Sequence, residues 1–472
     1  MISVKQTIYS IAGALLFGLL FGSASELRAQ QNLKYQQLSF ADQRPSQFFD
    51  FLILPGQADE TVALASVYSF SYSSMPFKKS NESQSSGKKR AFFSPVTMNM
   101  EVFSSNESLL KRKDPDISVE QLDPAGRAFW EDTAYAGTYE ETQSELTFLY
   151  GHLGMELKPG IYTYVLQLKR GDRGDPRTSQ TRTIRIKPYS EMTIGNVYLG
   201  EKLSSDGSQL QLISMGDNVK YGSDFYALAY LPGYTEEASY SLDVNAISTS
   251  RGDTSVTDQL YSQELGTDDL RRGIKPCLNS GRNSKANMLQ LSPDPDGFTY
   301  ALVKIPNSRF PNTSYRITIR ENDRKTVSST TYQSKWLDMP RSLLSLDIAT
   351  EMLRYMVNDQ TLDRLSEGSK EERERKFRAF WKERDPTPDT EYNELMAEYY
   401  RRIDYAYRHF TTNNIIGYES DQGKVYIKYG PPNNIERKFP IDGSPVEIWS
   451  YPNREFVFRA TSGFGDFKLV SQ

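Results

Sequence analysis

The chain of 472 residues contains one cysteine and two histidines, and these scarcities exclude more chemistry than any feature that is present. Cys277 has no second cysteine with which to close an internal disulfide. It lies in RRGIKPCLNSGRNSK, a polar, Gly-rich stretch that reads as a loop carrying a free thiol. His152 and His409 cannot build a multi-histidine metal site, and a Ser-His-Asp triad would have to recruit one of them. His152 follows Gly151 in an expected turn and His409 ends an amphipathic helix, so both read as structural. No cofactor is implied. A dominant charge is also lacking: 56 Lys and Arg against 60 Asp and Glu give a net charge of −4, with no basic excess to bind nucleic acid.

Long apolar runs are missing except at the N-terminus. Lys5 precedes the apolar stretch Ile8 to Phe21, about 14 residues, which is short for a bilayer span. Small residues follow at Gly22 to Ser25, with a second candidate cleavage point after Ala29. This is the layout of a secretory signal peptide, with an uncleaved membrane anchor as the rival. The expected mature chain is exported, periplasmic or extracellular, and has no membrane span after cleavage.

What is abundant is aromatic and strand-like. Tyr (30) and Phe (24) far outnumber Trp (4), which suits β-sheet surfaces. In VTMNMEVF, Val96, Met98, Met100 and Val102 alternate with polar residues, marking a half-buried strand. The stretch after Pro159-Gly160 puts Tyr162, Tyr164, Leu166 and Leu168 on one face. YSLDVNAIS and YRITIR alternate in the same way, and residues 248–286 between them read as long loops or a weakly ordered insertion. After Pro340 the period changes from two to 3.6. Ser369-Lys-Glu-Glu372 has capping-box spacing, and a long helix is expected from about Thr390 to Phe410, with Asp404 and Arg408 paired on its solvated face. KVYIKY and VEIWSY read as short strands.

The resulting expectation is a multidomain, mainly β protein. Residues 1–29 are the signal peptide, 30–190 an antiparallel β-sandwich, 191–335 a second sandwich with long loops, and 340–472 an α+β domain of helices followed by short strands.

Three strings in the last of these carry a family resemblance. They are FWKERDPTP (Trp381, Arg384, Asp385), EYYRR with the helix around it, and GYESDQGKVYIKYGPP (Gly417, Tyr418, Ser420, Asp421, Tyr426, Tyr429, Gly430, Pro431), followed by VEIWSY with Trp449. Together they resemble the GWxTD domain of exported bacterial proteins, over roughly residues 340–472. Gly417 and Asp421 keep the naming motif, whereas Tyr418 stands at its Trp position and Ser420 at its Thr position. The family brings no established activity with it.

Two readings of this segment remain open. In one it is a rigid corner: Gly417 at positive φ, Tyr418 packed, Ser420 and Asp421 bonding turn amides, and Gly423 leading into a strand that Gly430-Pro431 ends. In the other, Asp421 works as an acid/base with Asp385 or Glu447. The first gives an exported, non-enzymatic interaction or scaffold protein that binds an envelope protein or surface glycan. The second gives a carboxylate-dependent carbohydrate-active enzyme or carbohydrate-binding protein. Of three Arg-Gly-Asp triplets (Arg170, Arg173, Arg251), the first two overlap in a hairpin turn and none reads as an adhesion site; SPDPDG (Ser292 to Gly297) reads as a turn, and the sequons at Asn81, Asn106 and Asn312 as surface loops.

Overall fold

A computed structural model describes residues 35, 37–38, 44–58, 60–80, 90–111, 118–172, 176–250, 253–279, 286–441, 443–462 and 465–471. The signal segment, Asn81 and the triplets at Arg173 and Arg251 lie outside the described residues. The described residues divide into two compact units, one within 44–337 with 390–392, and one within 338–389 and 393–472 together with Tyr35, Gln37 and Leu38. Its strands are overwhelmingly antiparallel, and helices followed by short strands occupy the C-terminal part. The fold class read from periodicity is the one found.

In the β unit, Val62–Ser71 lies between Gln47–Pro55 and Phe148–Leu157 in a three-stranded sheet. A second sheet is built on Phe92–Ser104, flanked by Pro124–Ala136 and Gly160–Arg170. Val96, Met98, Met100 and Val102 are each 1% exposed or less, as alternation requires. Further along, six strands between Val197 and Ile305 close a barrel, and Lys325–Lys335, Ser314–Glu321, Tyr240–Ser250 and Asp253–Glu264 lie side by side in a five-stranded sheet. One hydrophobic core runs across residue 190: Leu54, Tyr68, Met98 and Leu166 belong to the same cluster as Tyr198, Leu228 and Tyr300. Its polar spine is a set of buried phenols. Tyr189 Oη lies 3.1 Å from Tyr198 Oη and 3.0 Å from Tyr300 Oη, and Tyr198 donates to the Ile53 carbonyl (2.6 Å).

The structure departs from three local expectations. Residues 248–286 are largely strand, comprising most of the hairpin Tyr240–Ser250/Asp253–Glu264 and the strand Leu270–Leu278. The second hairpin arm carries no strand signature because it is an edge strand whose apolar residues Val256 and Leu260 are exposed, leaving no alternation to read. Cys277 is a half-buried strand residue opposite Gln290, not a loop thiol. His152 sits in the strand Phe148–Leu157, where Nδ1 meets Asn287 Oδ1 (3.1 Å) and burial lowers its pKa. The turn at Arg170 is structural, with Gly171 at φ +77° and Asp172 paired to Lys78 (2.5 Å).

Asp50 supplies a pH dependence. Its carboxylate accepts the Gly216 and Asp217 N–H groups (3.1 and 3.0 Å), which belong to a left-handed turn with both φ at 58°. Burial nevertheless pushes this carboxyl up from 3.8 to about 6. Between those values the folded chain holds a proton that the unfolded chain releases, so stability falls as pH rises through the window. The whole change is roughly 3 kcal/mol, from about two pH units at 1.36 kcal/mol each. Urea melts from pH 3 to 8 should show Asp50→Asn gaining on the wild type by about that amount as pH rises; parallel profiles would count against it.

In the C-terminal unit the helices are Leu346–Met352, Asp359–Ser366, Lys370–Lys382, Glu394–Phe410 and Asp421–Tyr429. A four-stranded antiparallel meander follows, Asn434–Lys438, Val446–Tyr451, Arg454–Ser462 and Asp466–Ser471. The capping box is present: Glu372 N–H donates to Ser369 Oγ (3.3 Å) and Ser369 N–H to Glu372 Oε2 (3.0 Å). The long helix starts at Glu394 rather than Thr390, because Asn393 caps it by accepting the Met396 N–H (2.7 Å). Tyr392 lies outside it and packs edge-on against Trp336 (5.3 Å) in the β unit. From the long helix, Tyr399 and Tyr400 donate their hydroxyls to the carbonyls of Met352 and Ala349, both at 2.6 Å, and so cap the end of Leu346–Met352.

Candidate functional site

The segment KVYIKY is helical, correcting the strand expected there. Gly417–Glu419 makes one 3-10 turn, Ser420 caps, and Asp421–Tyr429 is an α-helix. Val425, Tyr426, Ile427 and Tyr429 favour strand by composition, yet the cap and the burial of Val425 and Ile427 against neighbouring elements override that preference. Gly430 at φ +79° ends the helix, and Pro431 follows, exposed, before the first strand of the meander.

Gly417 is required by proximity, not by positive φ. A Cβ there would stand 1.9 Å from the Ala406 carbonyl oxygen and 2.7 Å from Thr411 N. The chain can therefore fold back onto the end of the long helix only where there is no side chain. Ser420, 5% exposed, donates Oγ–H to the Gly417 carbonyl (2.7 Å) and accepts the Gly423 N–H (2.9 Å). The Asp421 carboxylate does not bond turn amides. Its Oδ2 accepts the Leu469 N–H (3.0 Å) from the last strand, which ties the motif helix to the meander.

Tyr418 is 1% exposed. Its ring centroid lies 5.9 Å from Tyr35 and 6.1 Å from Tyr407, with the Arg354 guanidinium 5.8 Å above it. Arg354 is held by Glu419 (3.3 Å) and Glu351 (3.5 Å). Burial first, then these two carboxylates, raise the Tyr418 pKa, so the phenol stays neutral. Tyr35 completes the cluster: it is 2% exposed, stacks on Tyr407 at 4.0 Å and donates its hydroxyl to Asp404. Asp404 also accepts the N–H groups of Arg341 (2.5 Å) and Ser342 (3.1 Å) and the Ser342 hydroxyl (2.7 Å). The expected pairing of Asp404 with Arg408 is replaced by this set of donors.

The remaining predicted residues fall into two further groups. Trp449, 1% exposed, packs on Phe410 (5.5 Å) and Phe458 (4.9 Å) and donates Nε1–H to Glu447 (3.2 Å). Glu447, 6% exposed, also accepts from Gln422 (2.8 Å) and Arg437 (2.7 Å). Tyr426 stacks on Tyr405 at 4.2 Å, and Tyr429 packs on Phe456 at 5.1 Å with Arg454 over its ring. Trp381 packs among Phe380, Tyr399 and Tyr400, while Arg384 lies 3.8 Å over the Phe380 ring and donates to the Phe380 carbonyl. Asp385 accepts the Thr387 N–H (2.9 Å) in the turn after the helix. Asp421, Asp385 and Glu447 thus have three separate sets of partners, and among the described residues no hydrogen bond joins any two of them. No group of three or more His, Cys, Asp or Glu among the described residues could hold a metal ion.

Sequence reasoning missed Tyr35, Asp404, Ser342 and Arg354. Asp404 lies four residues after Tyr400 and three before Tyr407, on the edge of the buried stripe, and that spacing was the available signal. Tyr35 and Arg354 reach the site only through tertiary structure.

No curated protein matches this chain. No described helix is long and apolar enough to cross a membrane. The match to a family model begins at Ser314, in the last strands of the β unit, and runs through the helices and the meander: residues 314–466 match the GWxTD domain, and the C-terminal part of this chain is a GWxTD domain.

Proposed function

We propose that this chain is an exported, non-enzymatic interaction or scaffold protein of the bacterial envelope, in which the GWxTD domain engages a protein or glycan partner. The observation that carries the reading is the use made of the motif's polar groups. The Ser420 hydroxyl caps one helix, and the Asp421 carboxylate holds the backbone of the last strand. Both polar groups of the motif are taken up by the chain's own backbone, which supports a structural, surface-supporting role over acid/base chemistry. The export part rests on Lys5, the apolar run Ile8 to Phe21 and the small residues after it.

The test is isolation of the tagged full chain from envelope fractions, with mass spectrometry of its N-terminus and of what accompanies it. A chain starting near Gln30 with a reproducible partner supports the proposal, and an intact Met1 overturns cleavage. Asp421→Asn keeps an oxygen for the Leu469 amide and should melt within about 0.5 kcal/mol of wild type and retain the partner. Asp421→Ala should lose about 0.5–1.5 kcal/mol. Wild-type melting of Asp421→Asn with the partner lost would instead make Asp421 a ligand-binding acid.

A further inference from the structure

Within the β unit, and independent of the GWxTD motif, lies a crevice of about 1120 Å³. One wall is Glu131 to Thr133 with Tyr135, the other the run Leu146 to Tyr150, and Pro95 to Thr97 line it as well. A hollow on a sheet face is lined by every second residue, because side chains alternate. Here consecutive residues line both walls, so the crevice opens along strand edges. The topology agrees. Among the described residues, Pro124–Ala136 pairs only with Phe92–Ser104, and Phe148–Leu157 only with Val62–Ser71. Each wall is the last strand of its sheet.

Main-chain groups on one wall are turned outward. Thr133 stands opposite Pro95, and its N–H donates to the Asp132 carboxylate (2.7 Å). Two residues on, the Tyr135 carbonyl accepts the Tyr72 hydroxyl (3.2 Å). Groups at i and i+2 of a strand point to the same edge. In the free chain these two side chains hold the positions that an added strand would take over, its carbonyl replacing the Asp132 carboxylate on the Thr133 N–H and its amide replacing the Tyr72 hydroxyl on the Tyr135 carbonyl.

We infer that this crevice takes an extended, basic peptide segment of a partner protein, which adds as a strand along Glu131 to Tyr135. Charge selects the occupant. Glu131 and Asp132 line the crevice against Arg90, whose guanidinium lies 4.6 Å over the Tyr135 ring. Two copies pairing through this edge would set carboxylates against carboxylates, whereas a basic strand neutralises them. Five residues of wall span roughly 17 Å, the length of a five-residue strand.

The test pans a phage-displayed library of random linear nonapeptides against the full chain, with Thr133→Pro as the counter-target. Thr133→Pro deletes the outward N–H and leaves the ladder to Phe92–Ser104, which a thermal melt verifies. Recovered peptides should carry Lys or Arg and bind Thr133→Pro at least tenfold more weakly. They should also lose binding when alternate residues are N-methylated, and weaken several-fold against Glu131→Gln. Peptides indifferent to N-methylation and to Thr133→Pro, or no enrichment at all, would overturn the proposal. So would a wild-type dimer that Thr133→Pro dissolves, which would assign the edge to a second copy.

Discussion

Tyr418→Ala should lower the stability of the C-terminal unit by about 3–5 kcal/mol, the range for emptying a fully buried aromatic site. The ring is 1% exposed and lies among Tyr35, Tyr407 and Arg354. Truncation opens a cavity whose walls are held in place, because Tyr407 belongs to the long helix and Arg354 is fixed by Glu351 and Glu419. Tyr418→Phe, which keeps the ring, should stay within about 1 kcal/mol. Denaturant melts of the full chain, followed by near-ultraviolet circular dichroism, measure both. Equal losses for Ala and Phe would show that the hydroxyl, not the ring, carries the residue's role.

Asp404→Ala should be the most destabilising loss of a polar group, about 3–5 kcal/mol, since each donor left dry costs roughly 1–3 kcal/mol. One carboxylate accepts from the Tyr35 hydroxyl, the Ser342 hydroxyl and the amides of Arg341 and Ser342. It fixes the start of the 3-10 turn Arg341–Leu344 and the seat of Tyr35 at once. Hydrogen exchange at the Arg341 and Ser342 amides should accelerate strongly in Asp404→Ala and little in Tyr35→Phe. A double-mutant cycle between Tyr35→Phe and Asp404→Ala should return a coupling of about 1 kcal/mol or more. Additive losses would mean that the hydroxyl and the carboxylate act independently.

The sequence reveals Tyr418 and Asp404 unequally. Tyr418 belongs to a motif string, and its burial was expected. Asp404 looked like one member of a surface ion pair at i,i+4, because periodicity assigns faces without saying what another segment will bring to them. Strand alternation named the core residues Met98, Leu242 and Ile317 without any structure, since one face of each strand must leave water. The Ser369 capping box was equally plain, because its partners lie three residues apart.

Wherever the partner is remote, the local pattern was silent or misleading. Asp421 reads as a turn residue, yet its acceptor role serves an amide 48 residues away. Lys424 to Tyr429 reads as a strand, yet it is helical because Ser420 supplies the cap and the surrounding elements bury Val425 and Ile427. By itself the sequence determined the β-then-α+β order and the main core faces, which rest on contacts near in sequence or on a two- or 3.6-residue period, while its motif strings carry the GWxTD resemblance. Tertiary structure alone decided that Tyr35, Asp404 and Tyr418 meet, that three candidate carboxylates keep separate partners, and that two sheet edges border one crevice. Such encounters depend on where distant segments come to rest, and no local periodicity encodes that.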